Sequence, residues 1–365
     1  MRQEPIEYPL IDDSRALHEL CERIADEDLV ALDTEFVRER TYYPELCVLQ
    51  IATATSIAAV DCLAAIDLDP LLDTLRSPDK SWLLHSARQD LEVLFHRAGK
   101  LPARLIDTQI AAALIGLPLQ TGLQGLLEKI LGVTIGKEHT RADWSRRPLP
   151  EPLVRYALDD VRYLIPAWLS LATELESRGR AAWFEEDCAR QLAVPMEADL
   201  STLLERTRGA GGLNGKRRAA AMGLLDWRER RAKAKNRPRR WILADDQLVR
   251  IAQALPGSPA DLERIANLPP KLIASSGPGL LTAIRAAEPA PDATERPVPD
   301  KAVVRSIQDA VRARAEALDI QPELLATRRE IAMAASGQLS ESLSSGWRRS
   351  ILGEILKSLG SDRER

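Results

Sequence analysis

The sequence predicts an α/β domain followed by one or two small all-α domains, on three observations. Short strand-like segments alternate with helical patterns in the first hundred or so residues, helical periodicity takes over after about residue 107, and a proline-rich break divides the helical remainder. LVALDTEF (29–36), LCVLQIATA (46–54) and SIAAVD (56–61) are rich in strand formers and bounded by polar or turn-like stretches. A helix near 68–76, the strand SWLLH (81–85) and a helix in SARQDLEVLFHRAG continue the alternation. DTQIAAALIG and EPLVRYALDDVRYLI then read as helices, the second with Pro152 in its first turn, where proline's missing N–H costs nothing. A long helix is expected through 167–192 and a compact helical segment over about 208–287, with turn signals at PGSP and LPP. Residues 288–300, EPAPDATERPVPD, hold four prolines and no apolar periodicity, the pattern of an extended linker. The expected domains are therefore 1–195, 206–287 and, after that linker, 301–365.

Composition narrows the function classes. The chain has 365 residues, of which 45% are hydrophobic and 28% charged, as in a globular protein of two or three domains. No apolar run reaches about eighteen residues and no basic-then-apolar leader is visible, so the expectation is a cytoplasmic protein with no membrane contact. Cys21, Cys47, Cys62 and Cys188 are scattered without a CxxC pair and there are only four histidines, which argues against zinc and for reduced thiols. The net charge of -4 conceals an asymmetry: residues 1–205 carry -14 and residues 206–240 carry +11. A basic block this dense in an otherwise acidic chain points to a polyanionic partner.

The sharpest chemical signal is a set of acids in apolar surroundings. Side chains alternate along a strand, so Asp33 and Glu35 project from one face while Val30, Leu32 and Phe36 project from the other. Asp90 precedes the apolar helical residues Leu91, Leu94 and Phe95. Asp160 interrupts the helical row Leu153, Ala157, Leu164, with Tyr156 four residues before it on the same face. Taken singly, each acid has an ordinary explanation: a turn cap for Asp33, a helix start for Asp90, a partner such as Arg162 for Asp160. Four together oppose folding unless cations bridge them, and all-oxygen ligation selects hard ions such as Mg²⁺ or Mn²⁺. A pair of such ions, typically ~3.5–4 Å apart, is an established arrangement for phosphodiester cleavage.

ALDTEF, HSARQDLEVL and YALDDVRYLIP resemble the three exonuclease motifs of the DEDD 3′–5′ exonuclease superfamily. DTEFVRERTYYPELCVLQIA, DTQIAAALIG and TRADWSRRPLP are similar to ribonuclease D within it, and 208–287 resembles the HRDC domain that follows the nuclease in that family; 301–360 resembles a second, diverged copy. The resemblance implies an RNase H-like nuclease fold, with Asp33, Glu35, Asp90 and Asp160 holding two divalent metal ions. It implies Tyr156 as the fifth catalytic residue, of the tyrosine subclass, since Arg155 stands where the other subclass has histidine. Asp159 adjoins Asp160 but lies about 100° round the helix from the apolar row. The implied reaction releases nucleoside 5′-monophosphates from the 3′ end of RNA, a transfer RNA precursor or another structured species; a monomer is the expected oligomeric state. A proofreading-type DNA exonuclease and an inactive binding module are the rival readings. Candidate nucleic-acid contacts are Lys216, Arg217, Arg218, Arg230, Arg231, Lys233 and Lys235 in the basic block, Trp144, Arg146 and Arg147 before the Tyr156 helix, and His85 at the end of its strand.

Overall fold

The computed structural model describes residues 10–136, 142–287 and 299–361, so all but the last two residues of the expected 288–300 linker lie outside the described part. These residues form two compact units.

The first unit contains residues 10–37, 46–194 and 299–361. Its strands are β1 (Leu10–Ile11), β2 (Leu29–Val37), β3 (Glu45–Ala52), β4 (Ile57–Asp61), β5 (Ser81–Leu84) and β6 (Arg104–Asp107). They form one sheet in the order β1-β4-β3-β2-β5-β6. β3 and β4 run antiparallel, whereas β2, β5 and β6 are mutually parallel, as strands joined through helices must be. β1 and β6 escape the sequence reading because two and four residues are too few to show alternation.

Helices α1 (Ser14–Ala25), α2 (Asp69–Leu75), α3 (Arg88–Ala98), α4 (Thr108–Leu114), α5 (Leu123–Leu131), α6 (Glu151–Arg162), α7 (Leu164–Ser177) and α8 (Ala181–Ala193) surround the sheet. The single helix expected over 167–192 is two helices, because Gly179 adopts φ 66° and the Arg180 N–H returns to the Leu175 carbonyl at 2.8 Å, closing α7. One sheet face packs Ala31, Ala52 and Leu83 against Val161 and Leu164, which sets α6 over the centre of the sheet. Lys80, almost wholly buried, satisfies three carbonyls at the end of α1, those of Ile24, Ala25 and Glu27, at 2.7–2.8 Å, where a cation also suits the helix dipole.

The chain ends in α15 (Lys301–Ala317), α16 (Pro322–Leu325), α17 (Arg328–Ala335), α18 (Glu341–Ser344) and α19 (Gly346–Ser361), counting six helices of the second unit before them. These belong to the first unit. Asp187 of α8 accepts both terminal nitrogens of Arg348 at 2.5 and 2.9 Å and the Trp347 indole at 3.1 Å, while the Trp347 ring stacks on Trp183 at 4.5 Å.

The second unit joins Arg38–Glu45 to residues 195–287. Its helices are α9 (Leu200–Arg206), α10 (Gly215–Lys235), α11 (Arg239–Ile242), α12 (Asp245–Ala254), α13 (Pro259–Glu263) and α14 (Pro270–Arg285). Leu224 and Leu225 of α10 sit in its core, with Met222 and Trp227 packed at the edge. α10 and α14 approach closely at Gly223, where a Cβ would stand 2.5 Å from the Ala283 carbonyl; any other residue would push the pair apart. Tyr42 fills this unit too: its hydroxyl donates to Glu229 at 2.9 Å, and its N–H donates to the Asn236 side chain at 3.0 Å.

Asp187→Ala would leave the Arg348 guanidinium buried without its carboxylate, an error worth about 3–5 kcal/mol. The expected outcome is a clear fall in thermal midpoint together with faster proteolysis within 299–361, measured by calorimetry and limited digestion.

Candidate active site

The carboxylates converge because β2 runs past its neighbour. β5 pairs with β2 only from Leu29 to Ala31, so the following residues have lost that partner. The Thr34 N–H finds its acceptor in Asp90 Oδ1 at 3.1 Å, and the Thr34 hydroxyl donates to the same oxygen at 2.5 Å. Strand alternation then turns Asp33 and Glu35 to the face opposite Thr34, the face that α6 covers. Asp160 descends onto them from α6, and carboxylate oxygens of Asp33, Glu35 and Asp160 lie within 4.8 Å of one another.

Asp90 itself is held by a turn the sequence reading overlooks. Ser86, at φ 60°, and Ala87 donate their N–H groups to Asp107 at 3.0 and 2.9 Å, fixing the start of α3, while Asp107 also caps α4 through Gln109 N–H at 2.8 Å. An aspartate opening DTQIAAALIG is a recognisable N-cap signal, but its second duty, across 20 residues, is not visible in sequence. Thr34, wedged between two acids, is likewise a positioning residue that only the structure identifies. Gln50 is a further polar residue that only the structure brings here: wholly buried on β3, it has neither amide atom hydrogen-bonded within the described residues. Its strand neighbours on that face, Val48 and Ala52, pack beneath α6, so the amide lies under the helix that carries Asp160.

Electrostatics register the crowding. Burial, then the charges of Asp90, Asp160 and Glu35, push Asp33 far above the ordinary carboxylate range. Burial, then Asp160 and Asp90, raise Glu35 to about 8; burial and Asp159 raise Asp160 to about 7; burial raises Asp90 to about 6 against the opposing Thr34 hydrogen bonds. Arg162, the sequence candidate for neutralising Asp160, binds Asp159 instead at 3.0 Å. The two adjacent aspartates are thereby separated into one facing the cluster and one paired at the surface of α6. Tyr156 is partly buried beside them, its ring 6.2 Å from that of Trp144.

Three of the expected nucleic-acid contacts are corrected. Trp144 is 3% exposed and packs among Leu149, Leu153 and Ala157, so its ring anchors the chain before α6 and has no face for a base. Arg147 grips Asp61 through Nε and Nη2 at 2.6 and 2.7 Å and donates to the carbonyls of Cys47, Trp144 and Arg146, leaving no donor for phosphate; Arg146 remains exposed. His85 uses both ring nitrogens, Nε2 on the Thr121 carbonyl at 3.0 Å and Nδ1 on the Thr108 hydroxyl at 2.9 Å, and burial lowers its pKa.

The basic block is not one patch. Lys216, Arg217 and Arg218 occupy the first turn of α10 and Lys233 and Lys235 its last, about 28 Å apart at 1.5 Å per residue. Arg230 pairs with Asp226 at 2.7 Å, Lys233 with Glu197 at 2.6 Å, and the Arg231 guanidinium lies 5.4 Å over the Trp227 ring. Lys216, Arg217 and Lys235 are exposed.

Residues 8–176 match a family described as 3′-5′ exonuclease and residues 219–284 match the HRDC domain, so the mixed sheet with its acidic cluster, followed along the chain by the helical unit, defines a 3′–5′ exonuclease with an HRDC domain. Ribonuclease D of Gluconacetobacter diazotrophicus is 36% identical over 97% of this chain and 93% of its own, and that of Escherichia coli is 33% identical over 96% and 98%. The chain belongs to the ribonuclease D family. The crystal structure of Escherichia coli RNase D, described as an exoribonuclease involved in structured RNA processing, superposes with a TM-score of 0.87 at 32% identity, covering 98% of this chain and 99% of that one. No described helix is long and apolar enough to cross a membrane.

The raised carboxyl groups fix a pH dependence. The folded chain holds these protons to higher pH than an unfolded chain, whose carboxyls titrate near pH 4, so unfolding releases protons and stability falls as pH rises from about 4 to about 8. In EDTA, the thermal midpoint should decline over that window. Glu35→Gln should raise it at pH 8 and leave it nearly unchanged at pH 4. A flat profile would show that the four acids do not share one site.

Proposed function

We propose that the chain is a metal-dependent 3′–5′ exoribonuclease whose metal ligands are Asp33, Glu35, Asp90 and Asp160, two Mg²⁺ or Mn²⁺ ions being held among them. The observation that carries this reading is the convergence of Asp33, Glu35 and Asp160 oxygens within 4.8 Å, with Asp90 close enough to raise the pKa of the first two. The donor set fits hard divalent ions: every group is a carboxylate oxygen, and the repulsion among them is of the kind that bound cations relieve. Divalent ions at such a site lower the pKa of an attacking water and stabilise the departing 3′ oxygen.

The chain's own residues do the rest. β2 and α6 fix the acids to rigid elements, so little reorganisation is required when substrate arrives. Thr34 commits Asp90 Oδ1 to two hydrogen bonds, which orients the carboxylate and leaves Oδ2 for ligation. Tyr156, one helical turn before Asp160, orients the attacking water through its hydroxyl. The product is a nucleoside 5′-monophosphate taken from the 3′ end.

The substrate is RNA, with the 3′ end of a transfer RNA precursor or another structured RNA as the proposed target. Membership of the ribonuclease D family supports this, as does an HRDC unit with exposed cations at both ends of α10. Lys216, Arg217 and Lys235 are the proposed phosphate contacts of that helix. RNA and DNA labelled at either end, incubated with Mg²⁺ or Mn²⁺ and with EDTA, test the reading. Release of labelled mononucleotide from 3′-labelled RNA, abolished by EDTA, is expected; faster attack on DNA would instead make it a DNA exonuclease.

Asp160→Asn is expected to abolish cleavage with the fold and RNA binding intact, and Asp159→Asn, which loses only a pair with Arg162, to retain most of it. The reverse outcome in a nuclease assay would assign the ligand to Asp159. Tyr156→Phe keeps the ring and the acids, and turnover should fall about 10²-fold with KM little changed. A raised KM at normal turnover would make the tyrosine a binding residue.

A further inference from the structure

Trp241 is out of keeping with the rest of the helical unit. It is 60% exposed, and it is the one aromatic residue among the described large hydrophobics that face solvent so fully. An indole left in water on a mobile loop would have little meaning, but this one sits on α11, whose backbone is pinned at both ends. On one side, Arg239 donates its Nε to both oxygens of Glu229 at 2.7 and 2.8 Å and lies 4.6 Å over the buried Tyr42 ring. On the other, Leu243 is buried in the core and its carbonyl accepts from Arg228 at 3.3 Å. Between these anchors the Trp241 N–H closes the turn onto the Pro238 carbonyl at 2.9 Å. The ring is thus presented outward from a fixed support, and holding it there costs little further conformational entropy on binding.

Its neighbours are cations. The Arg237 guanidinium lies 5.8 Å from the ring centroid, and Arg240, 80% exposed, reaches Asp245 only at 3.7 Å. Lys235 and Arg237 are both exposed. A flat apolar ring flanked by exposed positive charge is complementary to one kind of ligand more than to others, a strand of nucleotides whose bases are free to stack and whose phosphates follow at regular spacing. A duplex hides its base faces, and an acidic peptide would match the charge but leave the indole unused.

We infer that Trp241, with Arg237 and Arg240, forms a stacking subsite for single-stranded RNA on the helical unit, distinct from the cations of α10. The inference rests on the proposal that the substrate is RNA. Stacking on an aromatic ring accepts any base, so the subsite adds affinity with little sequence preference. Arg237 has a double part, ordering the ring face in the free protein and contacting phosphate or base when RNA is bound.

The test is binding of an oligouridylate of about 15 nucleotides to the full chain in EDTA, followed by anisotropy across a range of salt. Trp241→Ala should weaken binding about 10-fold or more, Trp241→Phe should restore most of it, and neither should change the thermal midpoint or the slope of log affinity against log salt. Arg237→Gln should lower that slope by about 0.7, the signature of one lost phosphate contact on a single strand. Unchanged affinity in Trp241→Ala overturns the subsite, as does a loss accompanied by a lower salt slope, which would mean that the ring only positions arginines. A wild-type chain that degrades RNA while Trp241→Ala binds it normally refutes this inference alone; a wild-type chain that neither binds nor degrades RNA refutes the proposed function with it.

Discussion

Asp33, Glu35 and Asp160 bring like charges within 4.8 Å, and keeping them there without a counter-charge opposes folding. With an effective dielectric constant of about 20, each ionised pair at that distance repels by about 3.5 kcal/mol, a large share of a domain's usual stability. Much of the nuclease unit can be understood as what resists that repulsion. Leu153, Ala157 and Val161 of α6 are buried on either side of Asp160, so the helix cannot withdraw one acid without exposing its apolar face. β2 cannot turn its acids away either, because alternation would bring Thr34 out of its bonds to Asp90.

Around this centre the polar residues divide by distance from it. Thr34 and Asp107 set the angles of Asp90 and its helix. Arg147 and Asp61 work farther out, tying the stretch before α6 to β3 and β4, with Trp144 plugged beneath it. These interactions are buried, hydrogen-bonded and mutually satisfied, and groups in that condition rigidify a site where a half-satisfied network would loosen it. The hydrogen bonds around the acids thus favour fixed positions for them, as electrostatic preorganisation requires.

What the sequence revealed followed the range of the interactions involved. Period two placed Asp33 and Glu35 on one face, and period 3.6 separated Asp160 from Asp159; both are local rules, and the structure arranges the residues accordingly. The main strands and the division into an α/β part and helical parts were legible for the same reason. Distant partners were not. Arg147 looked free because Asp61 lies 86 residues away, His85 looked available because Thr108 and Thr121 are contributed by other elements, and Trp144 looked like a stacking ring because its burial depends on α6. The spread of the basic block was hidden in another way. Charge density along a chain says nothing about direction, and a helix of 21 residues carries its ends far apart while burying Arg228 against Asp245.

The second unit is assembled from two separate lengths of chain, since Arg38–Glu45 folds with residues 195–287. The short length supplies Tyr42, 5% exposed, which carries the Glu229 and Arg239 bonds and receives Arg239 and Lys233 over its ring. Modularity along the gene and modularity in space therefore disagree. A fragment cut at residue 195, the boundary that sequence would choose, would strip Tyr42 of every one of those partners, and the excised helical piece would be left with a hole where the phenol ring belongs. Any shuffling of these domains between relatives, in nature or in the laboratory, has to carry the eight residues that follow β2 of the nuclease along with the helices.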